Sequence, residues 1–225
     1  DAGNEQNWND MQEGLGERWP YAEWEEPIVI VSKLLDTRHM EYTLERWLTK
    51  RRSGLQTAWF NAIGYQTWEM VFGAFNQLSV ADAETLKRVQ IVLAAVADVI
   101  VGKDHRGFRP HVPIGRATDD GGREVYASQF GADGAACPFG LGETCRLYTI
   151  VERRGVDHTN VAVHLPEQPA GHCRYFDLWH GRELHPSEAD SGTVGLTLPI
   201  EANGFGAILE VISPKSLHRH SGVAA

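Results

Sequence analysis

The first half of the chain alternates apolar runs of strand length with segments whose hydrophobic residues recur at helical spacing. Residues 27–35 (PIVIVSKLL) form a continuous apolar run introduced by a proline, which is typical of a strand covered on both faces. In residues 40–52, hydrophobic side chains recur every three or four positions, and Gly54 follows as an expected helix stop. This order predicts a strand and then a helix.

The next segments repeat that order. Residues 55–69 indicate a second strand that breaks into a loop at Gly64, and residues 79–100 predict a long helix capped by Ser79 or Asp82. Strand, helix, strand, helix predicts parallel pairing through crossovers. Two such units cannot close a barrel. We therefore expect either a small open sheet or the end of a larger barrel whose other strands come from a missing segment or another chain.

The second half of the chain is richer in glycine and proline and carries short alternating runs. In residues 193–202, hydrophobic residues at every second position face one way and small or polar residues the other, as in a strand with one buried face. About six such runs predict an antiparallel β-sandwich. We place the boundary near residue 105, which gives βα units in 1–105 and a sandwich in 106–225. The fold class is thus α/β plus all-β, a partial (β/α)-barrel-like segment followed by an antiparallel β-sandwich.

Charge and hydropathy exclude several kinds of partner. The 21 Lys and Arg residues are outnumbered by 30 Asp and Glu residues, and the net charge of -9 would repel a phosphate backbone or an anionic lipid surface. The most apolar stretch, residues 91–101, is too short to span a bilayer and contains Asp98. We expect neither a nucleic-acid partner nor a membrane partner.

The cysteines and the amino-terminal residues bear on the compartment. Cys137 and Cys145 are eight positions apart in a glycine-rich stretch, where they can form a small disulfide, and Cys173 falls on a predicted strand. The chain begins without Met and without the features of a signal peptide, so we expect a processed or excised product of a longer precursor. The disulfide favours a secreted, extracellular protein.

Four motifs resemble a known class of proteins. The segments RHMEYTLERW, GYQTWEMVFGAFN, YFDLWHGREL and IEANGFGAILEV are similar to the C-terminal portion of glycoside-hydrolase-like proteins, in which a catalytic barrel carries a C-terminal β-sandwich. The resemblance covers roughly residues 27–213. It implies a polysaccharide or oligosaccharide ligand and a carboxylate acid/base mechanism without a cofactor.

Glu69 is the candidate catalytic acid or nucleophile, because it follows a predicted strand and a glycine turn. Glycoside cleavage needs two carboxyl groups, and Asp36 or Glu41, after the first predicted strand, is the candidate for the second. The alternative interpretation is that Glu69 caps a helix and pairs with an arginine, while Asp36 and Glu41 are surface groups.

Side chains near these acids are candidates for substrate binding. Arg38 and His39 can hydrogen-bond sugar hydroxyls or, alternatively, anchor the fold through a salt bridge. Trp68 and Trp24 offer ring faces on which a sugar can stack, although most aromatic side chains belong to the core. Asn76 closes the motif around Glu69 as a further polar candidate.

One departure from the pattern of the resembled proteins affects this site. The acid there is followed more often by Asn and then by tryptophans, whereas here Met70 follows Glu69, and Phe72 and Phe75 replace the larger rings. Methionine cannot hydrogen-bond a sugar hydroxyl as an amide does. Two functions therefore stay open: a glycoside hydrolase or a fragment of one, and a non-catalytic carbohydrate-binding or structural module of a larger extracellular assembly.

The remaining polar motifs predict structure. The ten histidines lack the short fixed spacing of zinc sites, and no phosphate-binding or dinucleotide-binding fingerprint is present, so we expect no metal and no cofactor. In YFDLWHG, alternation places Tyr175, Asp177 and Trp179 on one face. We expect Tyr175 and Trp179 to cover the junction between the sandwich and the barrel-like segment.

Overall fold

The computed structural model describes residues 42–45, 51–67, 79–101, 107–114, 125–138, 144–166, 171–187 and 192–214. The amino-terminal part of these ranges contains β1 (Tyr42–Glu45), α1 (Arg51–Asn61), β2 (Gly64–Thr67), α2 (Val80–Ala95) and α3 (Ala97–Val101). The carboxy-terminal part contains β3 (Val125–Ala136), β4 (Thr144–Glu152), β5 (His158–Pro166), β6 (Gly171–Asp177), β7 (Arg182–Leu184), β8 (Thr193–Ile200) and β9 (Phe205–Pro214).

Strands β1 and β2 pair in parallel, with α1 as the connection between them. The predicted parallel crossover is therefore present, but its elements differ from those expected. Residues 42–45 form a strand inside the segment predicted as a helix. The helix at 51–61 has Gly54, the expected stop, in its interior and includes residues 55–61, which were predicted as part of a strand. The strand predicted at 27–35 lies outside the described residues.

Helix α1 was mistaken for a strand because it is buried on all sides. Its residues 55–61 are each no more than 1% exposed, including Gln56, Thr57 and Asn61. A helix without a solvent-facing side shows no amphipathic contrast, and a short apolar run then fits either element. Strand β1 lies in a segment of helical spacing, and its pairing with β2 overrides that local preference.

Helix α2 begins where the sequence predicts it. The Ser79 hydroxyl accepts a hydrogen bond from the Asp82 backbone N–H at 3.1 Å, and Leu86, Val89 and Val92 form the buried stripe. The predicted helix over 79–100 is divided at Val96, after which α3 begins. Among the described residues, no helix combines the length and apolar character needed to cross a bilayer.

The carboxy-terminal strands form two antiparallel sheets, which confirms the predicted antiparallel pairing of this part of the chain. Five strands pair in the order β3-β4-β9-β6-β7, and β5 pairs with β8. One face of the five-stranded sheet packs against the β5-β8 pair, where Ile150, Ile208, Val163 and Leu198 share a core. The other face packs against helices α1, α2 and α3. The five-stranded sheet is thus a middle layer, which explains why β4 is buried on both faces.

Helix α1 is fixed to this middle layer by side-chain hydrogen bonds as well as by packing. The indole N–H of Trp59, which is fully buried, donates to the carbonyls of Ile150 and Gly206, at 3.2 and 3.1 Å. One turn earlier in α1, the Gln56 amide donates to the carbonyls of Glu152 and Gly204. Trp59 therefore bridges strands β4 and β9, and Gln56 bridges β4 to the turn before β9.

The structure contains the disulfide that the cysteine spacing suggested. Cys137, after β3, is bonded to Cys145 in β4, with 4.9 Å between the Cα atoms. Cys173, on β6, is not part of a disulfide among the described residues. Secretion, which the pairing favoured, stays a prediction, as does the domain boundary, since residue 105 lies outside the described ranges.

Replacing Trp59 by Phe should destabilise the protein by about 1–3 kcal/mol, because two buried carbonyls lose their donor while an aromatic ring is retained. The free energy of unfolding in urea measures this loss. Trp179→Phe is the matched control, since Trp179 lies against Trp59 and its indole N–H has no hydrogen-bond partner among the described residues. Equal losses in the two variants would contradict the role of the shared hydrogen bonds.

Candidate functional site

All the site residues predicted from the sequence lie outside the described residues. The structure therefore neither brings them together nor separates them. They are the catalytic candidates Glu69, Asp36 and Glu41 and the binding candidates Arg38, His39, Trp68, Asn76 and Trp24.

The described backbone shows how the chain approaches two of these acids. In the parallel pair, Tyr42 lies opposite Gly64 at the amino edge, and Glu45 lies opposite Thr67 at the carboxyl edge. Glu41 directly precedes β1 at the amino edge, whereas β2 ends at the carboxyl edge two residues before Glu69. A four-residue strand separates these edges by about 10 Å.

A cleft of about 370 Å³ lies among the described residues, between α1 and α2 on one side and the turn that precedes β9 on the other. Its floor includes the rings of Trp179 and Phe205, which stack with centroids 5.1 Å apart and an interplanar angle of 18°. Trp59 packs beneath Trp179, at 5.5 Å between centroids. The cleft is therefore built directly on the contact between α1 and the sheet.

The turn after β6 positions Trp179. The buried Asp177 carboxylate accepts hydrogen bonds from the backbone N–H groups of Trp179 and His180, both at 3.1 Å, and from Arg182 Nε at 3.2 Å. His180 Nδ1 lies 2.7 Å from the same carboxylate, and Gly181 adopts a φ of 69° that suits glycine. Through these contacts, the Asp177 carboxylate stabilises the tight turn that follows β6.

The expected junction role is correct for Trp179 and wrong for Tyr175. Trp179 packs between the five-stranded sheet and α1, whereas Tyr175 faces the β5-β8 pair on the opposite side of the sheet. Strict alternation failed here because β6 ends at Asp177, and the turn carries Trp179 to the other face.

Two arginines cover the aromatic floor of the cleft. Arg52 lies over the Phe205 ring and Arg88 over the Trp179 ring, with distances of 5.4 and 5.1 Å from Cζ to the centroid. The rings beneath are almost buried, with Phe205 3% and Trp179 8% exposed. A guanidinium group stacked on a ring keeps its N–H donors in its own plane, where they can reach a ligand.

The charged groups around the cleft differ in how far they are already paired. Arg52 Nη1 is 2.6 Å from Thr85 Oγ1 and 4.0 Å from Asp82, and Lys87 lies 3.7 Å from Glu84. Within the part of the chain that the structure describes, neither the Arg88 guanidinium nor the exposed Glu201 carboxylate has an ion-pair or hydrogen-bond partner. The cleft thus offers one unpaired donor group and one unpaired acceptor group.

Two further buried carboxylates, Glu152 and Glu210, make contacts that stabilise the fold. Glu152 accepts three backbone hydrogen bonds, from Arg154 at 2.7 Å, Gly155 at 2.9 Å and Asn203 at 2.6 Å, and so ties the turn after β4 to the turn before β9. Glu210, fully buried on β9, faces the sandwich core, where Tyr148, Tyr175 and Arg146 each approach a carboxylate oxygen at 3.4 Å.

The environment of Glu210 favours its protonated form. Burial raises the pKa of Glu210, and this effect exceeds the opposing attraction of Arg146. Burial also raises the pKa of Tyr148 and of Tyr175, and the neighbouring Glu210 adds to both shifts. Glu210 was not among the predicted site residues, although a single acid within the apolar strand GAILEVI is its signal in the sequence.

The cleft residues were also missed by the sequence analysis, because they are far apart in the chain and belong to no motif of fixed spacing. No group of three or more His, Cys, Asp or Glu side chains capable of holding a metal occurs within the described ranges.

Comparisons with known proteins give a partial likeness to glycoside hydrolases. No family model matches the chain, and no curated protein matches it. Similar solved structures include the GH27 β-L-arabinopyranosidase of Geobacillus stearothermophilus, with 9% identity over 73% of this chain and 30% of that chain and a TM-score of 0.35. An Anoxybacillus α-amylase has 11% identity over 79% of this chain and 39% of that chain, with a TM-score of 0.41.

A cyclomaltodextrin glucanotransferase has 8% identity over 77% of this chain and 37% of that chain, with a TM-score of 0.42. The chain thus spans about a third of the length of these three structures, between 30% and 39%. The likeness is partial and confined to the fold, and it carries no information on activity.

Replacing Glu210 by Gln should stabilise the protein at neutral pH. The folded-state pKa of Glu210 lies above its ordinary value of 4.5, so the folded protein binds more protons than the unfolded chain between these two pKa values. The contribution of Glu210 to the free energy of unfolding is fully present below its unfolded pKa. It is lost as the pH rises through the folded pKa, by up to about 1.4 kcal/mol per pH unit. Glutamine resembles the protonated acid and removes this loss.

The measurement is urea unfolding of wild type and Glu210→Gln from pH 4 to pH 8, with Glu183→Gln as the control. Glu183 pairs with Arg174, and the hydrogen bond from Arg174 lowers its pKa, so its contribution has the opposite sign, present at neutral pH and lost in acid. Stability curves of wild type and Glu210→Gln that run parallel over this range would contradict the assignment.

Proposed function

We propose that the chain is a carbohydrate-active protein, a glycoside hydrolase or a segment of one that acts on an extracellular polysaccharide. One observation carries this proposal: β1, α1 and β2 form a parallel unit beside an antiparallel sandwich, and β2 ends two residues before Glu69. In barrel enzymes, the loops that follow the carboxyl ends of parallel strands present the catalytic groups.

In the proposed mechanism, Glu69 acts as the acid or the nucleophile. One carboxyl group protonates the leaving oxygen, and the other attacks the sugar or activates water. Asp36 fits the second role better than Glu41. It lies six residues before Tyr42, and such a segment can extend about 20 Å, enough to pass the length of the strand pair. Glu41 directly precedes Tyr42, the first residue of β1, in the sequence.

The substrate would be held by side chains around these acids. Trp68 and Trp24 stack on sugar rings, and Arg38, His39 and Asn76 hydrogen-bond the hydroxyl groups. Because two strands cannot enclose a barrel, a further segment or another chain supplies the remaining strands. The proposed division into 1–105 and 106–225 then separates the catalytic part from the sandwich, although α1 and the sheet share one core.

The second candidate is a non-catalytic carbohydrate-binding module. Met70, beside Glu69, favours it, because the usual amide is missing there. The three buried acids Glu152, Asp177 and Glu210 are consistent with it, because Glu152 and Asp177 accept backbone hydrogen bonds and Glu210 is enclosed in the sandwich core.

Glu69→Gln should lower the release of reducing sugars from a panel of plant, algal and bacterial polysaccharides by about a hundredfold or more, since it removes general acid catalysis. Asp36→Asn and Glu41→Gln, assayed on the same panel, identify the second carboxylate, and we expect the larger loss for Asp36→Asn. Glu183→Gln, which changes an exposed acid on β7, is the control and should keep wild-type activity.

Three results separate the candidates. Release that is lost with Glu69 establishes the hydrolase. Glycan binding with no release from any substrate favours the binding module. Neither release nor binding across the panel would overturn the carbohydrate proposal itself.

A further inference from the structure

We infer that the cleft between α2 and the turn before β9 is a binding site for neutral saccharides, in which Arg88 and Glu201 form hydrogen bonds to hydroxyl groups of one saccharide. The inference rests on the proposed function for the class of ligand. Its location rests on the described residues alone, and its volume of about 370 Å³ falls in the range of small-molecule sites, roughly 300–1,000 Å³.

Arg88 is the donor group of this site. It is exposed on α2, and its Cζ lies over the Trp179 ring, 5.1 Å from the centroid. Arg174 gives an instructive contrast: it also stacks on a ring, Phe176 at 4.9 Å, but Glu183 already accepts two of its N–H donors, at 2.9 and 3.2 Å. Arg88 has the same stacking without such a partner among the described residues, so its donors remain available.

Glu201 is the acceptor group on the other wall of the cleft. The turn that carries it is anchored by two hydrogen bonds: the Ala202 N–H donates to Asp157 at 2.7 Å, and the Asn203 N–H donates to Glu152 at 2.6 Å. A carboxylate only accepts hydrogen bonds and a guanidinium only donates them, whereas a sugar hydroxyl does both. Arg88 and Glu201, which line the same cleft, are therefore complementary in the hydrogen bonds that they can form to the hydroxyl groups of one saccharide.

The charges around the cleft favour a neutral ligand over an anion. Arg52, Lys87 and Arg88 line it together with Glu84 and Glu201, so the cations and carboxylates nearly balance. The two aromatic rings are covered by the arginines, which leaves hydrogen bonding rather than ring stacking as the mode of recognition. An acidic sugar or a phosphate would gain from Arg88 but would be repelled by Glu201.

The test measures binding by titration calorimetry in the Glu69→Gln background, so that no substrate is consumed. The probes are neutral hexasaccharides of glucose, xylose and arabinose, with a galacturonate hexasaccharide and inorganic phosphate as acidic comparisons. Arg88→Gln and Glu201→Gln should each weaken binding of a neutral probe by about tenfold or more, because each removes hydrogen bonds to a charged group. Arg174→Gln, the matched stacked arginine outside the cleft, should bind as the parent does.

Arg88→Lys is the control that separates weaker binding from misfolding, because lysine keeps the positive charge but lacks the planar guanidinium group. It should unfold at the urea concentration of the parent and still bind the neutral probe less tightly. Unchanged affinity in both cleft variants, absence of neutral-saccharide binding, or tighter binding of galacturonate or phosphate in Glu201→Gln than of any neutral probe would overturn the inference.

Turnover by the wild-type chain is measured separately. Turnover together with unchanged binding in the cleft variants would reject the cleft as the saccharide site and support the proposal of a hydrolase. Binding that is weakened in the cleft variants, without turnover by the wild type, would support the cleft as the saccharide site and reject the proposal of a hydrolase.

Discussion

The contact between Trp59 and the five-stranded sheet is the interaction on which the rest of the described structure depends. Its indole N–H serves the carbonyls of Ile150 and Gly206, so one side chain of α1 links two neighbouring strands of the middle layer. A buried carbonyl without a donor costs about 1–3 kcal/mol. The contact therefore fixes the position of α1 as well as covering the sheet, and β1 and β2 flank that helix in the chain.

The cleft is a consequence of the same contact. Trp59 supports Trp179, Trp179 stacks on Phe205, and each of the last two rings carries an arginine. Moving α1 would shift Arg52, which stands on that helix, relative to Phe205, which stands on β9. A site assembled from a helix, a turn and a strand start in this way retains its geometry only while the layers stay packed.

The sequence predicted those features whose signal is local. Alternation in β8, the Ser79 cap of α2 and the spacing of Cys137 and Cys145 each correspond to structure within a short segment, and each is present. Features that depend on tertiary contacts were missed or misassigned. Helix α1 shows no solvent-facing polar side because its residues 55–61 are buried, and the cleft brings together Arg88 and Glu201, which are more than a hundred residues apart in the sequence.

The three buried carboxylates of the described residues have structural roles. Glu152 and Asp177 are committed to backbone hydrogen bonds, and Glu210 lies between two tyrosines in a core. Carboxylates committed in this way cannot serve as a pair across a glycosidic bond, which must reach substrate and water. These three carboxylates therefore stabilise the described fold, and the acid roles proposed above are assigned to Glu69 and Asp36, which lie outside the described residues.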